Sequence, residues 1–387
     1  MKILHTADWH VGKVLKNQPR FDEHQAVLAD LVRIADTEDV DLVIVAGDLF
    51  ETSTPSPQAQ ALVMSTLLRL RADGRHVVVL AGNHDNQELV DLVYRPVLRE
   101  LGVHVLGRTK APANGGVITV RTRGGETAKV AALPFLSQRF AVRAAEIMLH
   151  EPARHAQTHA NRVEAMIGAL TADFTADTVN IVTTHATLLG GRRGGGERDA
   201  QTLLGYELPA AVFPASLHYA ALGHLHRYQE IDGRCPIAYS GSPLALDFGE
   251  EDNQPVALVV TATPDSRAHV RPVPVTGGRP LRTVRGTLDE VVDAGERAGE
   301  AFLRVVLTQQ ASAGLAELVR EKLPNAIDVQ LDERFRPRRG SAAGGDQRGR
   351  AGRTPLELFG AFLAEEENIA DERVAAMFAE LLDEVTG

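Results

Sequence analysis

The chain holds a single cysteine, Cys235, so no intramolecular disulfide can form and a reducing compartment is expected. It has no stretch near the roughly 20 consecutive apolar residues that a membrane-crossing helix needs. Its first residues, Met1-Lys2-Ile3-Leu4-His5, reach a polar residue after only two apolar ones and lack a signal-peptide core. A cytoplasmic protein with no membrane contact is therefore expected. An excess of basic residues is also missing: 41 Lys and Arg stand against 51 Asp and Glu, a formal charge of −10. This argues against a nucleic-acid binder that works by bulk positive charge. It leaves open an enzyme in which local arginines or divalent cations neutralise phosphates. No internal repeat of fixed period is visible. At 387 residues and 44% hydrophobic content, two or three globular domains are expected.

What is present is a series of apolar runs that each end in a polar cluster. Ile3-Leu4 leads to Asp8-Trp9-His10, Leu42-Val43-Ile44-Val45-Ala46 to Gly47-Asp48, and Val77-Val78-Val79-Leu80 to Gly82-Asn83-His84-Asp85. Between them, Leu28, Leu31, Val32 and Ala35 recur at helical spacing over 21–36, and Leu62, Val63, Thr66, Leu67 and Leu70 do so behind Pro55 and Pro57. Strand, helix, strand, helix, strand argues for a parallel sheet with crossover helices, whose sites form at the carboxyl ends of strands. Further along, Val179–Val182 leads to Thr183-Thr184-His185, and Tyr219–Leu222 to Gly223-His224-Leu225-His226. Each cluster alone reads as an ordinary turn or a buried histidine. Five of them, each directly behind an apolar strand, make a common site the better reading.

The stretch 103–135 reads as short strands at 103–106, 117–120 and 130–133, expected to form a second, more antiparallel sheet. Residues 139–170 read as helical, with His150, His155 and His159 as solvated surface residues. The run 190–198, Gly190-Gly191-Arg192-Arg193-Gly194-Gly195-Gly196-Glu197-Arg198, fits either a plain surface loop or a phosphate contact beside the site. Behind a boundary at Thr276–Pro280, strand, helix, strand, helix, strand over 281–331 predicts a small α/β domain. The Arg- and Gly-rich 336–353 reads as a linker. Thr354-Pro355-Leu356-Glu357 matches a capping box, opening a helical pair over 354–387 that either packs on the body or docks a partner.

The strand-end donors Asp8, His10, Asp48, Asn83, His84, His185, His224 and His226 are oxygen and imidazole groups without a thiolate, which suits manganese, iron or zinc. They are too many for one tetrahedral ion and about right for two ions sharing a carboxylate. These motifs resemble the five motifs of the calcineurin-like metallophosphoesterases. The opening Ile3–His10, Gly47-Asp48-Leu49-Phe50-Glu51, Ala221–His226 and Tyr239-Ser240-Gly241-Ser242-Pro243, with Phe248 and Glu250, narrow the resemblance to the SbcD family of bacterial nuclease subunits.

The resemblance implies an α/β fold: a two-sheet sandwich flanked by helices (α/β/β/α) over 1–276, a small α/β capping domain over 277–335, the linker 336–353, and helices 354–387 that grip the coiled coil of an SbcC-type ATPase. It implies one ion on Asp8, His10, Asp48 and His226 and a second on Asp48, Asn83, His185 and His224. Manganese is the expected metal, with His84 as the acid and Glu51 as the residue orienting it. The implied activity is two-metal DNA cleavage, as a 3′–5′ double-strand exonuclease and a single-strand or hairpin endonuclease, by a homodimer working with the ATPase in DNA-break repair. A phosphatase or nucleotide phosphodiesterase with the same metal site is the alternative. The chain departs from the resemblance at 191–196, where the family carries a serine- and acid-rich stretch.

Overall fold

The computed structural model describes residues 1–136, 159–196, 207–312, 314–335 and Phe378. In chain order the strands are β1 (Lys2–Thr6), a small hairpin of β2 (Val14–Leu15) and β3 (Gln18–Pro19), β4 (Leu42–Val45), β5 (His76–Leu80), β6 (Val103–Leu106), β7 (Val117–Arg121) and β8 (Thr127–Leu133). There follow β9 (Val179–His185), β10 (Tyr219–Gly223), β11 (Gln229–Ile231), β12 (Ile237–Tyr239), β13 (Val256–Thr263), β14 (Ser266–Pro274), β15 (Leu281–Gly286), β16 (Phe302–Leu307) and β17 (Ala326–Leu331).

Two six-stranded sheets form the body, in the orders β14-β13-β1-β4-β5-β6 and β11-β12-β10-β9-β8-β7. In the first, β1, β4, β5 and β6 run parallel while β13 and β14 are antiparallel. In the second, β8, β9, β10 and β12 are parallel and only the edge strands β7 and β11 are reversed. Strands buried on both faces need no alternation, which is why β4 and β9 read as unbroken buried runs. Side chains pointing one way from β1 and β4, Ile3, Leu42 and Ile44, join Ile181, Tyr219 and Ala221 of the second sheet in the core between the sheets. Those pointing the other way, Leu4, Val43 and Val45, pack under the helices Phe21–Thr37 and Pro57–Leu70. The helix His159–Thr171 covers the second sheet through Val163, Met166, Ile167 and Leu170.

Three sequence expectations are corrected. Val103–Leu106 belongs to the first sheet, pairing in parallel with β5 from Val77↔Val103 to Leu80↔Leu106. The second sheet is parallel at its centre, because crossovers and not hairpins join β8, β9 and β10. His159 is buried against the second sheet, not on the surface. The strands β13 and β14 carry no expectation above, although Val256–Val260 is a continuous apolar run; they pair with each other and attach to β1. His150, His155, the linker 336–353 and, apart from Phe378, the helices 354–387 lie outside the described residues.

Over 281–331 a three-stranded parallel sheet, β15-β16-β17, alternates with helices Leu288–Arg297 and Leu315–Lys322. It has a core of its own around Val291, Leu303, Val305 and Val319. It is also fastened to the body, because Leu281 and Phe302 bury with Leu15 and Phe248. The guanidiniums of Arg279 and Arg20 lie over the Phe302 ring, 4.0 and 5.5 Å from its centroid. Residues 1–332 form one compact unit.

Candidate metal centre

The carboxyl ends of β1, β4 and β5 in one sheet face those of β9 and β10 in the other, and every polar cluster sits at one of these ends. The loops after β1 and β4 are laced together by backbone bonds from Asp8 N–H to the Gly47 carbonyl (3.0 Å), His10 N–H to Asp48 (3.1 Å) and Val11 N–H to Leu49 (3.0 Å). Asp8, His10, Asp48 and His224 all have positive φ (54°, 46°, 52° and 101°), a conformation costing non-glycine residues roughly 1–2 kcal/mol each. The surrounding bonds hold that strain in place. Both oxygens of Asp8 accept from His224 N–H at 3.0 and 3.1 Å, tying one sheet to the other. Asp48 Oδ1 accepts from His84 N–H at 2.8 Å.

Asp85 has a structural task. Its carboxylate accepts from the backbone N–H groups of Gly82 (2.9 Å), Leu49 (3.2 Å) and Phe50 (3.1 Å), locking the third loop to the second. The approach is close enough to require glycine at two points. A Cβ on Gly82 would lie 2.1 Å from Asp48 Oδ1, and one on Gly47, at φ 102°, would lie 2.3 Å from His185 Nδ1.

All seven expected ligands converge. Asp48 Oδ2 lies 3.5 Å from His10 Nε2 and 3.4 Å from His185 Nε2, between the two rings. Asn83 Oδ1 is 2.8 Å from His185 Nε2 and 2.9 Å from His224 Nδ1. Among the described residues, three sets of donor atoms lie within 4.8 Å of one another: Asp8, His10 and His226; His10, Asp48 and His84; and Asp8, Asp48 and His185. His84 thus stands closer to the donors than a group held apart from them, with its ring edge-on to His10 at 4.6 Å.

The imidazoles are held from behind. Glu51 Oε2 accepts from His10 Nδ1 at 3.0 Å and Glu250 Oε1 from His226 Nδ1 at 2.8 Å, so in that tautomer each ring turns Nε2 toward the aspartates. The Ala46 carbonyl does the same for His185 Nδ1 at 2.8 Å. Such outer partners fix the tautomer and basicity of metal-binding histidines. The assignment of Glu51 to His84 is corrected here. Its carboxylate holds His10 and Lys13, and it is the Glu51 backbone carbonyl that lies 2.7 Å from His84 Nδ1.

Glu250, completely buried and with its other oxygen on Leu246 N–H at 2.7 Å, received no role from the sequence. Its place in the family-like run through Phe248 and Glu250 was the available signal. Phe135, 6.2 and 6.3 Å from the rings of His185 and His224, carried none. The Gly-rich loop also reaches the site, since a Cβ on Gly196 would meet Glu250 Oε1 at 2.3 Å and His226 Nδ1 at 3.1 Å.

The electrostatics suit cations. Burial, reinforced by Asp48, pushes Asp8 up to about 7 although His185 and His226 pull it down. Its surroundings therefore do not supply the positive charge that a buried carboxylate demands. Burial opposes a charged His185, yet Asp48 beside it raises the ring to about 9. Burial lowers His10 to about 4 against the pull of Glu51. It would also raise Glu51, but the hydrogen bond and charge of His10, with Lys13, hold that carboxyl at about 2. His10 Nε2 is buried, faces the aspartates and has no hydrogen-bond partner, as a ligand atom would. An oxygen and imidazole donor set with a shared carboxylate fits a pair of divalent ions.

Comparison with known proteins agrees. Residues 1–228 match the family described as calcineurin-like phosphoesterase. Residues 278–367 match the SbcD C-terminal family, described as type 5 capsule protein repressor C-terminal domain. The chain is 37% identical over 329 residues to the SbcD subunit of the Rhodobacter capsulatus SbcCD nuclease, covering 79% of this chain and 80% of that one. It is 34% identical over 285 residues to the SbcD subunit of Bacillus subtilis, covering 73% and 71%. The SbcD subunit of Escherichia coli K12 is 31% identical over 300 residues, covering 75% and 72%.

The Gly82→Ala chain is expected to lose about 2 kcal/mol of stability from overpacking against Asp48 and at least tenfold in manganese affinity. Urea unfolding and calorimetric titration of the metal check this, and wild-type affinity would show that the close approach is not needed.

Proposed function

The chain belongs to the calcineurin-like phosphoesterases and, within them, to the SbcD nuclease subunits, and on that basis we propose how its residues divide the work of cutting DNA. It is a metal-dependent phosphoesterase. In the proposed centre Asp8, His10, Asp48 and His226 hold one ion, Asp48, Asn83, His185 and His224 the other, and manganese is the working metal. Two such ions supply a Lewis-acid clamp on the scissile phosphate and lower the pKa of a nearby water.

The protein groups do the rest. Asp48, with Oδ2 between His10 and His185, fixes the separation of the two halves. Glu51 and Glu250 keep the His10 and His226 rings in register by holding their Nδ1 protons. With Nδ1 on the Glu51 carbonyl, His84 presents Nε2 to the substrate side, where it protonates the leaving 3′-oxygen or steadies the charge of the transition state. The observation that carries this reading is the convergence of seven donors from five strand ends, backed by oriented second partners.

The substrate is duplex DNA ends, cut 3′ to 5′, together with hairpins and single strands, and the ATPase partner is of the SbcC type. Residues 277–335 act as the capping domain, 336–353 as a linker and 354–387 as the segment that grips the ATPase coiled coil. The match of 278–367 to the SbcD C-terminal family supports that division. A homodimer is supported by an apolar stripe on the helical stretch that runs through the π-turn Val90–Tyr94 into Arg95–Glu100. Val93, Val97 and Leu101, four residues apart on one face, are 52%, 61% and 49% exposed.

Three measurements test the reading. His84→Ala is expected to lower manganese-dependent cleavage of a 3′-ended duplex by at least 10²-fold with metal binding unchanged. Cleavage that survives removes the role of His84, and activity on small phosphoesters alone, even with the ATPase present, would favour a phosphatase. Deleting 354–387 is expected to abolish co-purification with the ATPase while manganese still binds; retained co-purification would place the grip elsewhere. Val97→Asp is expected to convert the dimer to a monomer in light scattering, and an unchanged mass would put the dimer contact on another face.

A further inference from the structure

Apart from the metal centre, the body has a cavity of about 470 Å³ between the helix Arg95–Glu100, the edge strand β6, the start of β7 and the turn Pro112–Asn114. It lies at the open end of the sandwich, since β6 and β7 are the last strands of their respective sheets. Its size is that of small-molecule sites, roughly 300–1,000 Å³. Arg95, Arg99, His104 and Asn114 line its polar side, and the apolar side includes Leu106 and Ile118. Among the described residues that line it, none is a carboxylate.

The positive charge there is not neutralised locally. Arg95 reaches only the Asn114 carbonyl, at 3.4 Å, and Arg71, just behind, holds the Gly102 carbonyl at 3.1 Å. Among the described residues, none of Arg71, Arg95 and Arg99 makes an ion pair. Two acids of the preceding helical turns are engaged elsewhere: Asp91 holds Lys110 and Gly107 N–H, and Glu88 holds Arg108. Burial holds His104 below its usual range, and His76 with Arg71, Arg99 and Arg95 pushes the same way. Arg95 and Arg99 are four residues apart, share a helix face and line the same cavity, so their guanidiniums are available to a single anion, and planar donor forks favour phosphate.

We propose that this cavity binds a small phosphorylated molecule of mononucleotide size, its phosphate on Arg95, Arg99 and His104 and its ring on the Leu106–Ile118 side. The site is built from a helix and two edge strands, shares no lining residue with the metal centre, and does not depend on the nuclease reading.

The probe is deoxyadenosine 5′-monophosphate, titrated calorimetrically into the full chain in excess EDTA so that the metal centre takes no part. The nucleotide is expected to bind more tightly than inorganic phosphate, and deoxyadenosine is expected not to bind. The Arg95→Ala/Arg99→Ala chain is expected to weaken nucleotide binding at least tenfold, with its unfolding midpoint and its duplex cleavage rate unchanged. Arg99→Glu, at an exposed position, is expected to give the same loss should the double variant fold poorly. Nucleotide affinity within twofold of wild type in a folded variant would overturn the assignment. Equal affinity for phosphate and nucleotide, or for nucleoside and nucleotide, would overturn the proposed occupant.

Discussion

A single carboxylate, Asp48, sets the terms for the rest of the molecule. Its Oδ2 stands 3.5 and 3.4 Å from imidazole nitrogens that arrive from two different sheets, and its Oδ1 accepts the His84 N–H from a third loop. A buried carboxylate is tolerated only when donors and positive charge surround it, so the sheets must present their strand ends to each other at this point and nowhere else. The glycines follow from that requirement. Gly47 and Gly82 bring backbone to within a distance of His185 and Asp48 that no Cβ allows.

Around this carboxylate the protein uses its other acids for support. Asp85 never faces the donors; it takes three backbone N–H groups and welds two loops. Glu51 and Glu250 sit one step out and set the tautomers of His10 and His226. The positive-φ residues at Asp8, His10, Asp48 and His224 mark where chain geometry has been bent to aim side chains. Each would be unfavourable alone, and the lacing of Asp8, His10 and Val11 to Gly47, Asp48 and Leu49 over-determines them. Among the described residues the small domain contributes no donor to the centre, yet its Phe302 is clamped by Arg20 and Arg279 beside Phe248. Phe248 lies two residues before Glu250, so the contact that seats the domain also backs a support of the metal centre.

The parallel strands and the chemistry at their ends are written locally in the chain. An apolar run followed at once by Asp-x-His, Gly-Asp, Gly-Asn-His-Asp or Gly-His-x-His is a local pattern, and the crossover rule puts such ends on one side of a sheet. Within that limit the seven side chains that converge at the strand ends and the helices that cover the first sheet were legible. So was the alternation of the small domain.

Whatever depends on pairs distant in the chain had to wait for the folded molecule. Nothing local distinguishes Val103–Leu106 as a strand of the first sheet rather than the second, because a short apolar run carries no record of its neighbour. Val256–Val260 is apolar enough to read as a strand, but its pairing with β1 from the far end of the body, and the burial of His159, depend on contacts distant in the chain. The pairing of Glu250 with His226, 24 residues apart, and of Glu51 with His10 in place of His84 is fixed by how loops fold onto one another. Residue spacing names the donors, whereas the positions of acids and carbonyls behind them arise when separate loops are pressed against the same buried charge.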